Sequence, residues 1–129
     1  MTNISEYNGG SLIAMTGKNC VAIACDKRLG MQAMTVSTNF PKVFPVTNTL
    51  FYGLAGLATD VLTVSEELRY RTDLYRLEEG REIAPKPFAN LLSSLLYSHR
   101  FGSYFVAPVV AGLDPKTKEP FVASTDSIG

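Results

Sequence analysis

The chain has 129 residues, of which 46% are hydrophobic and 19% charged, and its 12 basic and 12 acidic side chains cancel. This length predicts one domain at most, and the apolar composition favours some contact with a partner. Neither basic nor acidic residues form a long block, so the sequence has no patch typical of nucleic-acid binding. It does not start with a basic segment followed by an apolar one, as a signal peptide would, and it has no run of roughly eighteen apolar residues that could span a membrane. We therefore expect an intracellular protein that binds neither nucleic acid nor membrane.

The first β elements form a predicted hairpin. Two β-prone segments, 11–16 and 20–25, flank "TGKN", whose glycine and asparagine suit a tight turn. The second segment, "CVAIAC", is apolar at both alternating positions, which predicts a strand covered on both faces.

The chain offers no convincing metal or cofactor site. Cys20 and Cys25 lie an odd number of positions apart, so they should point to opposite faces without a disulfide, as two buried thiols rather than zinc ligands. "YGLAGLATD" carries Gly53 and Gly56 but lacks the third dinucleotide-binding glycine and a phosphate-loop lysine. We expect no cofactor and no metal.

Further along the chain, "MTVSTNF", "KVFPV" and "TLFYGLAG" read as extended segments, and two helices follow. The first helix is predicted to begin at an N-cap Thr59 with Asp60 in its first turn and to end at Gly80. Its apolar stripe should contain Val61, Val64, Leu68 and Tyr75, with Leu74 and Leu77 beside it and a Glu67–Arg71 pair on the wetter face. The second helix should start at Pro87.

An apolar stripe on the second helix ends at His99, which we interpret as a packing or capping residue rather than a catalytic base. "YFVAPVVAGLD", the turn "PKTKEP" and "FVASTD" then predict a second hairpin. Strands, two adjacent helices and further strands indicate an antiparallel α+β sandwich. Because its last sheet would keep an open edge, we expect residues 10–129 to be the N-terminal part of a longer fold.

Several motifs resemble those of proteasome beta-type subunits: "GKNCVAIACDKR", "FYGLAGLATDV", "LYRLEEGREI" and "RFGSYFVAPVVAGLDPKT". The last motif is most similar to that of the non-catalytic subunit at the third position of the eukaryotic beta ring. The resemblance covers about residues 7–129. It implies the N-terminal-nucleophile hydrolase fold, a four-layer αββα antiparallel sandwich, of which the chain would supply the N-terminal part.

The resemblance also implies where catalytic groups would lie. Active members use a threonine freed by self-cleavage, supported by a lysine and an aspartate. The family pattern places the aspartate at Asp26, the lysine at Lys42 and the nucleophile at Gly10, which has no hydroxyl. The resemblance therefore implies a non-catalytic subunit in which Asp26 and Lys42 form a structural or a solvated pair and residues 1–9 remain as an uncleaved extension.

One alternative is an active hydrolase that uses Ser11 after cleavage at Gly10. It would require a one-residue shift of the first strand, which would turn alternate side chains to the opposite face. Asp26 and Lys42 both agree with the unshifted register. A β domain unrelated to proteolysis is the other alternative.

The resemblance implies partners as well. The chain would form part of the beta ring of the 20S core particle, in cytoplasm and nucleus, and support ubiquitin-dependent proteolysis by threonine-protease neighbours. Other beta-type subunits would flank it on both sides in a seven-membered ring. The helices at about 59–79 and 87–101 would face alpha-type subunits. Assembly chaperones are possible further partners. Asp126 is either a residue lining a neighbour's substrate pocket or a turn aspartate.

Overall fold

The computed structural model describes residues 3–129. After a 3₁₀ turn at Ile4–Glu6, six strands precede the helices and two follow them. The first six strands are β1 (Leu12–Gly17), β2 (Cys20–Cys25), β3 (Leu29–Met31), β4 (Met34–Ser37), β5 (Val43–Thr47) and β6 (Leu50–Gly56). The remaining elements are α1 (Ala58–Glu79), α2 (Pro85–Tyr97), β7 (Val106–Leu113) and β8 (Pro120–Ser124).

All strand pairs are antiparallel. The central sheet has the order β5-β6-β7-β8, while β1-β2 and β3-β4 are separate hairpins. Both hairpins predicted from turn residues are present, at β1-β2 and β7-β8. This arrangement agrees with the predicted antiparallel α+β sandwich.

The main core lies between the central sheet and the two helices. Because side chains alternate along a strand, Leu50, Tyr52 and Leu54 of β6 share one face, and they pack with the buried stripes of both helices. Phe88 of α2 is fully buried, and its ring lies 5.4 Å from the ring of Tyr52. The stripe predicted for the first helix is confirmed at Val61, Val64 and Leu68. The second helix also has a buried apolar stripe, which contains Phe88, Leu92, Leu95 and Leu96.

The β1-β2 hairpin packs against the central sheet. A Cβ added to Gly53 would lie 2.7 Å from Leu12, so this glycine allows the hairpin to approach β6 closely. Phe51 and Ala111 line a small cavity together with Val21 and Ile23 of β2. Since residues 51 and 53 alternate with the helix-facing residues of β6, the helices and the hairpin lie on opposite faces of the central sheet.

The prediction that β2 is covered on both faces is wrong for the described residues. Its odd-numbered positions are half-buried against the central sheet, whereas Cys20, Ala22 and Ala24 are exposed. The cysteines do point to opposite faces, but neither is buried, since Cys20 is exposed and Cys25 half-buried. Because β2 has apolar residues at both its even and its odd positions, the sequence does not indicate which face is exposed.

Both helices begin earlier than predicted. Thr59 lies inside α1 and not at its N-cap, which is Leu57 without a side-chain hydrogen bond. α2 starts at Pro85, two residues before Pro87, and ends at Tyr97 rather than near 101. The end of α1 is as predicted, because Gly80 has φ +68° and its N–H donates to the Arg76 carbonyl.

Candidate functional site

Asp26 and Lys42 form an ion pair at the junction of the three sheets. The Lys42 Nζ lies 3.0 Å from Asp26 Oδ2 and donates to the backbone carbonyls of Asp26 at 3.2 Å and Arg28 at 2.9 Å. Lys42 is the buried partner, with 3% of its side chain exposed against 40% for Asp26. The lysine ammonium is therefore surrounded by three oxygen atoms and has little contact with water.

The Asp26 carboxylate has partners of its own. Its Oδ1 accepts from the Ser11 N–H at 2.9 Å and its Oδ2 from the Arg28 N–H at 3.3 Å. The Ser11 hydrogen bond is the largest cause that lowers the pKa of Asp26 below its usual value, and Lys42 lowers it further. Asp26 is thus a fixed anion that orients both the backbone beside it and Lys42.

Gly10 lies directly against this pair. A Cβ built on Gly10 would fall 2.6 Å from Lys42 Cε, 2.8 Å from Lys42 Cδ and 3.1 Å from Asp26 Oδ1. The structure therefore brings together the three positions that the sequence motifs singled out. The methylene chain of Lys42 occupies the space that a side chain at position 10 would need.

Ser11 meets the pair through its backbone. Its N–H donates to Asp26 Oδ1, and its carbonyl accepts from the Asp26 N–H at 3.3 Å. The Cβ position of Gly10 lies against the Lys42 side chain, whereas the contacts of Ser11 with Asp26 are made by its backbone. This register does not favour the alternative in which Ser11 is the nucleophile.

A cleft of about 450 Å³ adjoins Gly10. Gly56, Ala107 and Asp126 are among the residues that line it, as are Ser5, Asn8 and Gly9 of the N-terminal segment. The Asp126 carboxylate accepts from the Ile128 N–H at 3.1 Å, which is a local turn contact, and the side chain is exposed. Asp126 thus lies at a cleft of its own chain.

Sequence reasoning missed Asn8. Its side-chain amide donates to the Gly30 carbonyl at 2.7 Å and accepts from the Ala58 N–H at 3.0 Å, partners that are 22 and 50 positions away in the chain. Local patterns carry no signal for such distant contacts.

The prediction that the apolar stripe of the second helix ends at His99 is wrong, because His99 lies beyond the end of α2 and is exposed. Its Nδ1 is 3.1 Å from Ser98 Oγ and 3.4 Å from the Leu95 carbonyl, and its ring packs 4.6 Å from that of Tyr104. These are the capping and packing contacts predicted for it. Within residues 3–129, no group of three or more potential metal-binding histidine, cysteine or carboxylate side chains is found.

Among the described residues, no helix is both long and apolar enough to span a bilayer.

Comparison of the sequence with known proteins identifies one family. A family model described as "Proteasome subunit" matches residues 6–129. "Proteasome subunit beta type-3" of Drosophila melanogaster is 58% identical over 98% of this chain. The protein of that name in Saccharomyces cerevisiae is 54% identical over 100% of the chain, and a "Probable proteasome subunit beta type-3" of Schizosaccharomyces pombe is 56% identical over 98%.

This chain spans 62% of the length of each of these relatives. The resemblance predicted from the sequence motifs is confirmed, and with it the α+β fold class of which the chain forms a part. The match of the family model to nearly every residue, together with identities above one half, shows that the chain belongs to the proteasome subunit family.

Proposed function

We propose that the chain is part of a non-catalytic, structural subunit of the beta ring of the 20S proteasome core particle. There it supports ubiquitin-dependent proteolysis by neighbouring threonine-protease subunits. The observation that carries the proposal is the position of Gly10 against the Lys42–Asp26 pair, where an active subunit requires a hydroxyl. The similarity to beta type-3 subunits supports the same assignment.

The chemistry follows from that missing hydroxyl. An N-terminal nucleophile is activated by an adjacent base and attacks the carbonyl through its side-chain oxygen. Gly10 has no side-chain oxygen, and the same oxygen would be needed for self-cleavage, so residues 1–9 stay attached. The Lys42 ammonium donates to two backbone carbonyls and pairs with one carboxylate, which makes it a structural anchor.

The helices offer a surface for assembly. Leu62, Tyr70 and Leu77 of α1 are exposed by more than half of their area, although all three are large and apolar or aromatic. In the proposed assembly α1 and α2 face alpha-type subunits, and beta-type subunits flank the chain on both sides in a seven-membered ring. Assembly chaperones could bind the same surfaces beforehand, and the particle would lie in cytoplasm and nucleus.

Asp126 is proposed to contribute charge to the substrate pocket of an adjacent subunit with tryptic-like specificity. Its exposed carboxylate would favour basic substrate side chains, and added salt should weaken that effect. Replacement Asp126→Ala should lower the cleavage of basic peptides by the assembled particle. Glu119→Ala, an exposed carboxylate before β8, serves as the control. Unchanged cleavage in Asp126→Ala would remove the pocket role and leave a turn aspartate.

The proposed function is tested on the full-length protein isolated from its native assembly. Intact mass and N-terminal sequencing are combined with a covalent probe for N-terminal nucleophiles. We expect an uncleaved start, no label on this subunit and co-purification with other ring subunits, whose active members take up the label as a positive control. A subunit that begins at Ser11 and carries the probe would be an active hydrolase, and the proposal would be wrong.

A further inference from the structure

The N-terminal segment has defined structure of its own. Residues 4–6 form a 3₁₀ turn, and the Asn3 side chain caps it by accepting from the Ser5 N–H at 3.1 Å. The next residue, Tyr7, accepts from the Gln32 N–H at 3.3 Å, which ties the segment to the turn between β3 and β4. Residues 3–9 therefore run along the body of the protein before β1 begins.

Asn8 makes the two most specific contacts of this segment. A primary amide carries both a donor and an acceptor, and Asn8 uses its NH₂ on the Gly30 carbonyl and its Oδ1 on the Ala58 N–H. One side chain thus joins β3 to the first residue of α1.

The Ala58 N–H is a donor that α1 cannot satisfy internally. The first N–H groups of a helix have no partner within the helix, and here the N-cap Leu57 makes no side-chain hydrogen bond. Asn8 supplies the missing acceptor from outside the helix. Capping by a residue 50 positions away couples the start of α1 to the placement of the N-terminal segment.

We propose that residues 3–9 act as a strap that the Asn8 amide holds in place along the cleft beside Gly10. Ser5, Asn8 and Gly9 of this strap line the cleft together with Gly10 and Gly56. While the Asn8 hydrogen bonds to the Gly30 carbonyl and the Ala58 N–H are in place, the strap is held as one wall of this cleft. This inference rests on the contacts of residues 3–9 and does not depend on the proposed function.

The first test follows amide hydrogen exchange in the full chain. Asn8→Ala removes both hydrogen bonds and should speed exchange at the Ala58 amide by on the order of tenfold. Asn8→Asp retains an acceptor at the helix N-terminus, where a negative charge is favourable, so Ala58 should stay protected. The Leu54 amide, which donates to the Lys42 carbonyl at 2.9 Å, reports whether the core itself has opened.

The second test follows cleavage by chymotrypsin after Tyr7. Rates are normalised to those of synthetic peptides with the same sequences and to cleavage after Phe101, which is 98% exposed. Asn8→Ala should raise the normalised rate by roughly tenfold through opening of the strap. Gly9→Ala is the matched control, because a Cβ at Gly9 meets no atom within 4 Å.

The proposal of a strap is wrong if Asn8→Ala leaves both amide exchange at Ala58 and cleavage after Tyr7 at their wild-type rates. It is also wrong if Gly9→Ala accelerates both to the same degree, since the effect would then not come from the amide. Exchange at Ala58 that is equally fast in Asn8→Asp and Asn8→Ala would exclude the capping contact. Neither measurement requires assembly or catalysis, so these results are separate from the fate of the proposed function.

Discussion

Replacing Lys42 by methionine tests whether the buried ammonium anchors the structure. Methionine is of similar length and apolar, so the packing around the methylene chain of Lys42 is largely kept. The charge is lost, and with it the contact to Asp26 Oδ2 and the hydrogen bonds to the carbonyls of Asp26 and Arg28. The variant therefore removes the electrostatic role with the least possible change in shape.

The expected loss follows from those three contacts. A hydrogen bond from a charged donor contributes about 1.5–3 kcal/mol, and acceptors left without a partner in a buried place add to the cost. Asp26 keeps its bonds from Ser11 and Arg28 and is 40% exposed, so the ion pair itself adds less than about 1 kcal/mol. We expect Lys42→Met to lower the free energy of unfolding by about 2–4 kcal/mol.

Urea unfolding followed by circular dichroism measures this loss, and repeating it across pH adds a second readout. The folded pKa of Asp26 lies below its unfolded value, so its contribution is complete above the unfolded pKa and disappears as pH falls through the folded pKa. Lys42→Met should reduce this acid dependence without abolishing it. The Ser11 hydrogen bond is the largest cause of the shift, and it remains in the variant.

Lys27→Met is the control, because Lys27 is an exposed lysine next to Asp26 in the chain. It should change stability by less than about 0.5 kcal/mol. A Lys42→Met variant that lost no more stability than Lys27→Met, with an unaltered acid dependence, would refute the reasoning. In that case Lys42 would contribute to stability only through the packing of its methylene groups.

Two glycine substitutions give further tests by the same unfolding measurement. Gly10→Ala should lower the free energy of unfolding by about 1–3 kcal/mol, because the added Cβ would overlap Lys42. Gly9→Ala is the control and should be nearly neutral, because a Cβ there meets no atom within 4 Å. Equal losses of stability in the two variants would contradict this steric explanation. Gly56→Ala should cost more than about 3 kcal/mol, since Gly56 has φ +138° and a Cβ there would overlap the Phe105 carbonyl; a stable variant with unchanged structure would contradict this.

Much of the fold could be predicted from local patterns. The β-prone segment at 11–16, the turn residues at 17–19 and the apolar stripes of the helices depend on neighbours a few positions apart, and all of these elements are present. Gly80 ends α1 as expected, because the left-handed conformation required there favours glycine. The family resemblance points to Asp26 and Lys42, and the two side chains do form a pair.

The parts that could not be predicted depend on distant residues. α1 starts at Ala58 and not after Thr59, and the acceptor for its first N–H comes from Asn8. The open face of β2 could not be recognised because Ala22 and Ala24 are apolar like their buried neighbours. In both cases the deciding contact is distant in sequence: Asn8 for the start of α1, and the central sheet for the buried face of β2.

The contacts of Lys42 explain why a charged pair can be retained beside a residue that has no nucleophile. Its three oxygen partners belong to the segment that leads from β2 into β3, while Lys42 itself stands just before β5. One ammonium thus connects all three sheets at the point where their strands have no hydrogen bonds to one another. A buried charge whose partner is removed is strongly destabilising, so Lys42 and Asp26 have a structural reason to occur together that does not depend on a hydroxyl at position 10.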